Sequence, residues 1–495
     1  MEKGANLRHG GVVEKPPPED APVTSSHAAA AESIAPTAVE RLLQVVAARR
    51  DATEPVEDFR GFEEELHAVF AAAEREVLGH ELARLDINVP AVIVEDIVHT
   101  QVLRSTATYL TRAGEVKVER SLYRAAGEDF SICPMELRAG LVEGYWTPWA
   151  AMLAVWAVAH LTPAEAEELF DRVGGMTPSR SSLDRLPRAV NLRWEDQREV
   201  FENDIHRAES VPEDAVAVAV SLDGIMVPMK DGERQAKRAR ARAKGKATRG
   251  PTGYREASCG TITFYDKDGD RLETRGFGRM PEKGKVTLKT MLAEELRAAL
   301  APRPDLLVVG VADGAKDNWT YLEALLPEGA IMVLDFFHAA DHLKKAMDLA
   351  HGKGTPKSDA EFQRLRLLLR DEEDGVDKVI NALAYQVRKH PRRKKLKTEL
   401  RYFRRNRRRM DYARLKARNL PIGSGVVEAA NKTLVTVRMK RAGSRWSING
   451  GQAVLTFRSL SKSDRFDHAW GLLAHTYKMA VEVPENVVPL RPRAA

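Results

Sequence analysis

Cysteine is nearly absent: Cys133 and Cys259 are the only two in 495 residues. They lie too far apart to suggest a ligand motif, which excludes zinc fingers, iron–sulfur clusters and disulfide scaffolds and favours a reducing cytoplasm. Long apolar runs are also missing. No stretch approaches the roughly 18 residues that a membrane span needs, residues 149–161 being too short, and the N-terminus carries no basic-then-apolar signal. No internal repeat of fixed period is present. Gly423-Ser-Gly lacks the Lys-Ser/Thr ending of a phosphate loop, so its glycines are expected to permit a tight helix entry instead. What is present is an apolar content of 43%, which excludes wholesale disorder. A chain of this length is expected to hold three or four structural units, in a soluble intracellular protein.

Positive charge is concentrated. The net charge is only +6, yet residues 388–418 hold sixteen Lys or Arg against two acids, and residues 233–250 hold eight against one. These two segments carry +21, and everything else sums to −15. Basicity focused in this way suits a polyanion running along one face, because each phosphate contact releases condensed counterions. The expected partner is therefore double-stranded DNA.

Residues 1–38, rich in Ala, Pro, Glu and Ser, are expected to form a disordered tail. Residues 39–160 read as a mainly helical N-terminal region. Phe62, Leu66, Val69, Phe70, Ala73, Val77, Leu78 and Leu82 keep the spacing of an amphipathic helix, and residues 116–123 suggest a short strand. Within 161–205, Thr162-Pro-Ala-Glu is a capping box, Gly174-Gly175 ends its helix, and Thr177-Pro-Ser-Arg starts another that Pro187 should kink or shorten. Two helices around a glycine turn make a helix-turn-helix candidate. Its second helix would present Arg180, Ser181, Ser182, Arg185 and Arg188 to a DNA groove, with Arg180 and Arg185 as the candidate readers.

From residue 214 the texture turns to β. A hairpin is expected over 215–222 and 224–229, with the basic stretch 233–250 as a neighbouring loop. A third strand over 257–265 leads into the Asp266-Lys-Asp-Gly-Asp turn. A helix at about 286–300, a strand ending at Asp313, a helix over 319–326 and a strand over 330–334 follow. Three antiparallel strands and then alternating helix and strand is the ribonuclease-H-like order. Residues 214–338 and 421–460 are thus expected to form an α/β catalytic core. Residues 339–420 read as a basic, all-α insertion, in which Leu396, Leu400, Phe403 and Met410 line one face and Arg404, Arg405, Arg407, Arg408 and Arg409 face DNA. Residues 461–495 are left as a C-terminal tail.

Three isolated acids stand at the edges of apolar segments. Asp223 ends Val216-Ala-Val-Ala-Val-Ser-Leu, Asp313 ends Leu306-Leu-Val-Val-Gly-Val-Ala, and Glu428 lies at the start of a helix. Converging carboxylates repel one another unless a divalent cation sits between them, so the pattern points to magnesium or manganese. His338 and His342, one helical turn apart, could reach a metal or phosphate or else fill the core. Trp319 and Trp446 could stack on an unpaired base, although core packing is the stronger expectation.

Five blocks now bear a wider comparison: Ser221-Leu-Asp-Gly; Val311-Ala-Asp-Gly-Ala-Lys-Asp-Asn-Trp; Leu334-Asp-Phe-Phe-His-Ala-Ala-Asp-His-Leu; Pro421-Ile-Gly-Ser-Gly-Val-Val-Glu-Ala-Ala-Asn-Lys; and Arg445-Trp-Ser with Gly450-Gly-Gln-Ala. Together they resemble the DDE transposases of bacterial insertion sequences, of Kra type, with a wider likeness to Mutator-like elements. The resemblance spans roughly 115–475. It implies that Asp223, Asp313 and Glu428 are the catalytic acids holding two Mg (or Mn) ions, with Asp223 bridging both, and that Asp335 and His338 form a short supporting motif. It also implies cleavage at transposon terminal inverted repeats, strand transfer into target DNA, a homodimer or higher oligomer, and association with the nucleoid. Where such proteins often carry a cysteine-paired ribbon, only Cys133 remains, which leaves zinc there without support. A ribonuclease-H-like nuclease or resolvase without strand transfer, and a transposase-derived DNA-binding protein without catalysis, are the alternatives.

Overall fold

The computed structural model describes residues 37–230, 232–246 and 253–485. The tail expected over 1–38 therefore lies outside the described residues, but for Thr37 and Ala38. Thr37 caps a first helix, Ala38–Arg50, through a capping box with Glu40. The amphipathic segment after it forms the helix Phe59–Arg84.

The N-terminal region is less helical than its sequence suggests. It contains an antiparallel three-stranded sheet of β1 (Ala91–Val94), β2 (Ile97–Thr111) and β3 (Gly114–Ala125), where only residues 116–123 were expected to be extended. The β1–β2 turn places Glu95 and Asp96 at positive φ, as tight hairpin turns demand. The pairing of β2 with β3 slips between Gln101 and Leu103. A bulge of this kind moves the side-chain alternation onto the other face, which breaks the period of two that marks a strand.

The capping box at Thr162 forms as read, and its helix runs Pro163–Val173. Ser179 caps the next helix, Arg180–Asp196, which continues through Pro187 rather than ending there. Pro187 stands at the eighth helical position, where its ring costs one backbone hydrogen bond. Its own side chain is buried in compensation.

The second sheet has five strands: β4 (Ala217–Pro228), β5 (Tyr254–Tyr265), β6 (Arg271–Arg279), β7 (Leu307–Ala312) and β8 (Ile331–Leu334). Their spatial order is β6-β5-β4-β7-β8, with β4, β5 and β6 antiparallel in sequence and β7 and β8 parallel to β4. The chain is thus mixed α/β. The expected hairpin over 215–229 is instead one continuous strand. Asp223-Gly224 reads as a turn signal, but Gly224 stays in the ladder opposite Ser258. Its near neighbour across the ladder is the exposed Glu256 side chain, and no chain reversal takes place at the glycine. The basic segment expected as a loop forms a helix over Gly232–Ala243, as its Ala, Arg and Lys content favours.

Helices cover both faces of this sheet. On one face Leu288, Leu292 and Leu296 of the helix Val286–Leu300 pack against Val220, Ile262 and Phe264. On the other, Val427, Leu434 and Met439 meet Val227, Ala257 and Cys259. Residues 339–420 are helical, and Leu396, Leu400, Phe403 and Met410 are buried in the same apolar core as the sheet.

The expected C-terminal tail over 461–495 is in part a core element. The helix Phe466–His475 buries Phe466, Ala469, Trp470 and Leu473 against Val155, Leu183 and Val190 of the N-terminal helices. Before it, the helix Ile448–Lys462 is buried continuously from Gly450 to Leu460. Its Arg458 donates to the carbonyl oxygens of Thr433 and Ala159, tying the sheet side to the helical side. Among the described residues no helix is long and apolar enough to cross a membrane.

Candidate active site

The parallel strands set the geometry. Ser221 pairs with Val311, and Val311 pairs with Val333. Two residues beyond each stand Asp223, Asp313 and Asp335. Adjacent strands lie about 4.8 Å apart, so these acids form a row at the level where the pairing of β4 with β7 and of β7 with β8 gives out. Asp223 itself lies inside β4, but beyond the last pairing of β4 with β7.

Each acid is oriented by neighbours. Asp223 accepts from the Gly224 amide at 2.7 Å and from Asn431 Nδ2 at 2.7 Å. Burial pushes its carboxyl up; the Gly224 hydrogen bond opposes this, and the charge of Asp313 reinforces it. Asp313 Oδ1 accepts from the Ala315 amide and from Asn318 Nδ2, both at 3.0 Å. Asp335 is fully buried at the N-cap of the helix Phe336–His351, and it accepts from the Phe337 amide at 2.9 Å.

Glu428 arrives from the helix beginning at Gly425. Ser424 Oγ lies 2.5 Å from Asp335 Oδ2 and 3.1 Å from Glu428 Oε1, so one hydroxyl spans both carboxylates. His338 Nδ1 is 2.6 Å from Asp335 Oδ2. That hydrogen bond raises the imidazole to about 9 despite burial, and the charges of Asp335, Asp313 and Asp223 act in the same direction. Burial acts to raise Asp335, but the hydrogen bonds from His338, Ser424 and Phe337 hold it below its ordinary range. Ligand atoms of Asp335, His338 and Glu428 all lie within 4.8 Å of one another. Neither Asp223 nor Asp313 belongs to that group; their effect on His338 is through charge alone.

The helical insertion reaches back over this row. Arg405 donates to the carbonyl oxygen of Gly314, next to Asp313, at 3.1 Å. The Tyr402 ring lies so close to Gly314 that any Cβ there would run into it. His342, the other histidine of interest, is held 2.6 Å from Glu399 and stacks on Tyr402 with ring centres 3.7 Å apart. Trp319 is buried beneath Arg409, and Trp446 donates to the Met439 carbonyl at 3.0 Å.

The arginines expected to face DNA divide. Arg407 forms a two-pronged bond to Asp377, and Arg409 pairs with Glu323, so both are committed within the fold. Arg404 and Arg408 are exposed and have no side-chain partner among the described residues. Arg180 and Arg185 are exposed on their helix, with Arg185 Nε donating to the Ser181 carbonyl at 3.3 Å.

Sequence reasoning missed Ser424, Asn431 and Asn318, which orient the acids. Asn431 starts a π-helical turn, Asn431–Thr436, of the kind that often re-aims a side chain at a functional site. The only sequence signal was their position inside the blocks around Asp313 and Glu428. No protein-family model matches the chain, and none of the curated proteins compared with it matches.

Proposed function

We propose that the chain is a DDE-type transposase with a ribonuclease-H-like core. The observation that carries this reading is the row of Asp223, Asp313 and Asp335 just beyond the shared pairing of three adjacent parallel strands, with Glu428 joined to Asp335 through Ser424. The strand order, three antiparallel strands followed by two parallel ones on the far side of β4, agrees with such a core. Hard carboxylate oxygens in a partly buried site suit Mg or Mn rather than a softer metal. Asp223, Asp313 and Glu428 would hold the ions. When bound, a pair of such ions stabilises the attacking and leaving oxygens of an in-line phosphodiester displacement.

The chain's own groups do the rest. Asn431, Gly224, Asn318 and Ser424 fix the carboxylates in place before substrate arrives, which spares reorganisation at the moment of reaction. His338, held through Nδ1 by Asp335, keeps Nε2 available for a phosphate oxygen. Arg405 and Tyr402 pin the Gly314 loop and so keep Asp313 in register with Asp223. Two transposon ends must be held together, so an oligomer is part of this reading.

The test is a strand-transfer assay with the element's own terminal repeats. Cleavage followed by joining to target DNA supports the transposase. Cleavage without joining favours a nuclease or resolvase, and binding without cleavage favours a DNA-binding derivative.

A further inference from the structure

Arg438 lies ten residues beyond Glu428 on the continuing helical segment 425–439, about 15 Å away at the α-helical rise. It is 2% exposed, and no carboxylate touches it. Nε donates to the Val158 carbonyl at 3.3 Å, and the guanidinium stands 5.0 Å from the centre of the Trp446 ring. Its two terminal nitrogens have no hydrogen-bond partner among the described residues. The nearby acids are taken: Glu165 pairs with Arg441, and Asp184 with Arg188. Burial, with Arg441 and Arg458 close by, draws Arg438 down to about 10, although the charges of Glu165 and Asp184 act against this. A buried charge without a counter-ion is costly, so such an arginine is retained where an anion completes it.

The space in front of Arg438 is suited to that anion. A cleft of about 250 Å³ opens where the helix Arg180–Asp196 meets the segment after Glu428. Arg180, Lys230 and Arg445 stand on it with exposed side chains that have no ion pair among the described residues. Ser447 and Gly450, at the N-terminus of the helix Ile448–Lys462, line the same cleft and add the positive end of a helix dipole.

We propose that this cleft is a phosphate-binding site, filled by a backbone phosphate of the DNA strand being processed. A separation of about 15 Å from Glu428 corresponds to roughly four base-pair steps at 3.4 Å each. The site would thus fix the strand's register between the candidate recognition helix and the acids. That the phosphate comes from DNA rests on the proposed function; that the cleft takes a phosphate oxyanion does not.

The full chain is assayed for fluorescent duplex binding over a salt series, and for melting in chloride against pyrophosphate at equal ionic strength. Arg438→Met is expected to melt higher than the parent in chloride, because an uncompensated charge is gone, yet to bind duplex tenfold or more weakly. Its slope of log affinity against log salt should fall by about 0.9. The double variant Lys230→Gln/Arg445→Gln should keep the parent's melting temperature and lose up to about 1.8 of slope. Pyrophosphate should raise the melting temperature of the parent more than that of either variant. Unchanged affinity and slope in a folded Arg438→Met overturn the proposal. If that variant fails to fold, an unchanged slope in the double variant overturns it. Should the parent not bind duplex at all, the proposed function falls. The pyrophosphate arm then decides the site: stabilisation lost in the double variant sustains it, and equal stabilisation of both proteins removes it.

Discussion

At the scale of single residues, the acids make the sharpest prediction. Asp223→Asn, Asp313→Asn and Glu428→Gln should each abolish cleavage while leaving duplex affinity within about twofold, because the carboxylates act on the scissile bond and not on the flanking backbone. End-cleavage and gel-shift assays on the same preparations check this. Full cleavage by Glu428→Gln would remove that residue from the site. Ser424→Ala offers a gentler probe. It takes away the hydroxyl that spans Asp335 and Glu428, and cleavage should drop by about tenfold to a hundredfold with the fold intact.

A second prediction concerns Glu202, away from the acids. Burial pushes its carboxyl up to about 7, with Arg198 and His206 opposing and Glu195 and Glu295 reinforcing. The unfolded carboxyl titrates near about 4.3. Between those values the folded state binds more protons, so stability falls as pH rises through the window and the penalty is complete above it. Glu202→Gln keeps the uncharged form at every pH. It should exceed the parent's stability by on the order of 1–2 kcal/mol at about pH 8 and match it at about pH 4. Denaturant melts at both pH values measure the difference, and a pH-independent gap would assign the effect to packing.

At the scale of elements, the division among the insertion's arginines separates DNA contact from internal pairing. Arg404→Gln/Arg408→Gln should flatten the salt dependence of duplex binding by up to about 1.8 with no change in melting. Arg407→Gln should leave the slope alone, since Asp377 already holds that guanidinium. On the helix Arg180–Asp196, Arg180→Ala and Arg185→Ala should lower affinity for the terminal repeats more than for unrelated duplex. Equal losses on both DNAs would place end recognition elsewhere.

The elements also show what could be read from sequence and what could not. β7 was legible because a strand buried on both faces is a continuous apolar run, and an acid ending such a run is conspicuous. The same logic singled out Asp223 but misjudged its strand, because Asp-Gly is a strong short turn signal and only the unbroken pairing with β5 shows that no reversal follows. β2 was hidden by its bulge. Ser424, just before a helix, and Asn431, within its continuation, were hidden because a polar residue there announces nothing until the fold brings a distant carboxylate against it, as Asp335 against Ser424 and Asp223 against Asn431.

At the scale of the whole molecule, the alternation of textures marked β5, β7 and β8 but divided β4 in two and passed over β6, and the linkage between units was not legible at all. Nothing in residues 448–475 proclaims that they serve the N-terminal half. Only the structure shows Phe457, Phe466, Trp470 and Tyr477 filling a core with Leu110, Trp146, Leu183 and Trp194. Arg193 adds a bond to the Thr476 carbonyl at 2.8 Å, and β1 meets Glu482.

Protein synthesis gives that closure a direction in time. The helices over 148–208 leave the ribosome well before their last wall is made, and at about 5–20 residues per second the wait amounts to tens of seconds. Throughout it the nascent chain shows an oily flank that only its own ending can cover, making it a client for chaperones. A message cut short before codon 448 should therefore yield a protease-sensitive N-terminal fragment, not a free-standing DNA-binding domain. Pulse proteolysis of ribosome-stalled chains would show protection arising only once residues up to about 477 have emerged.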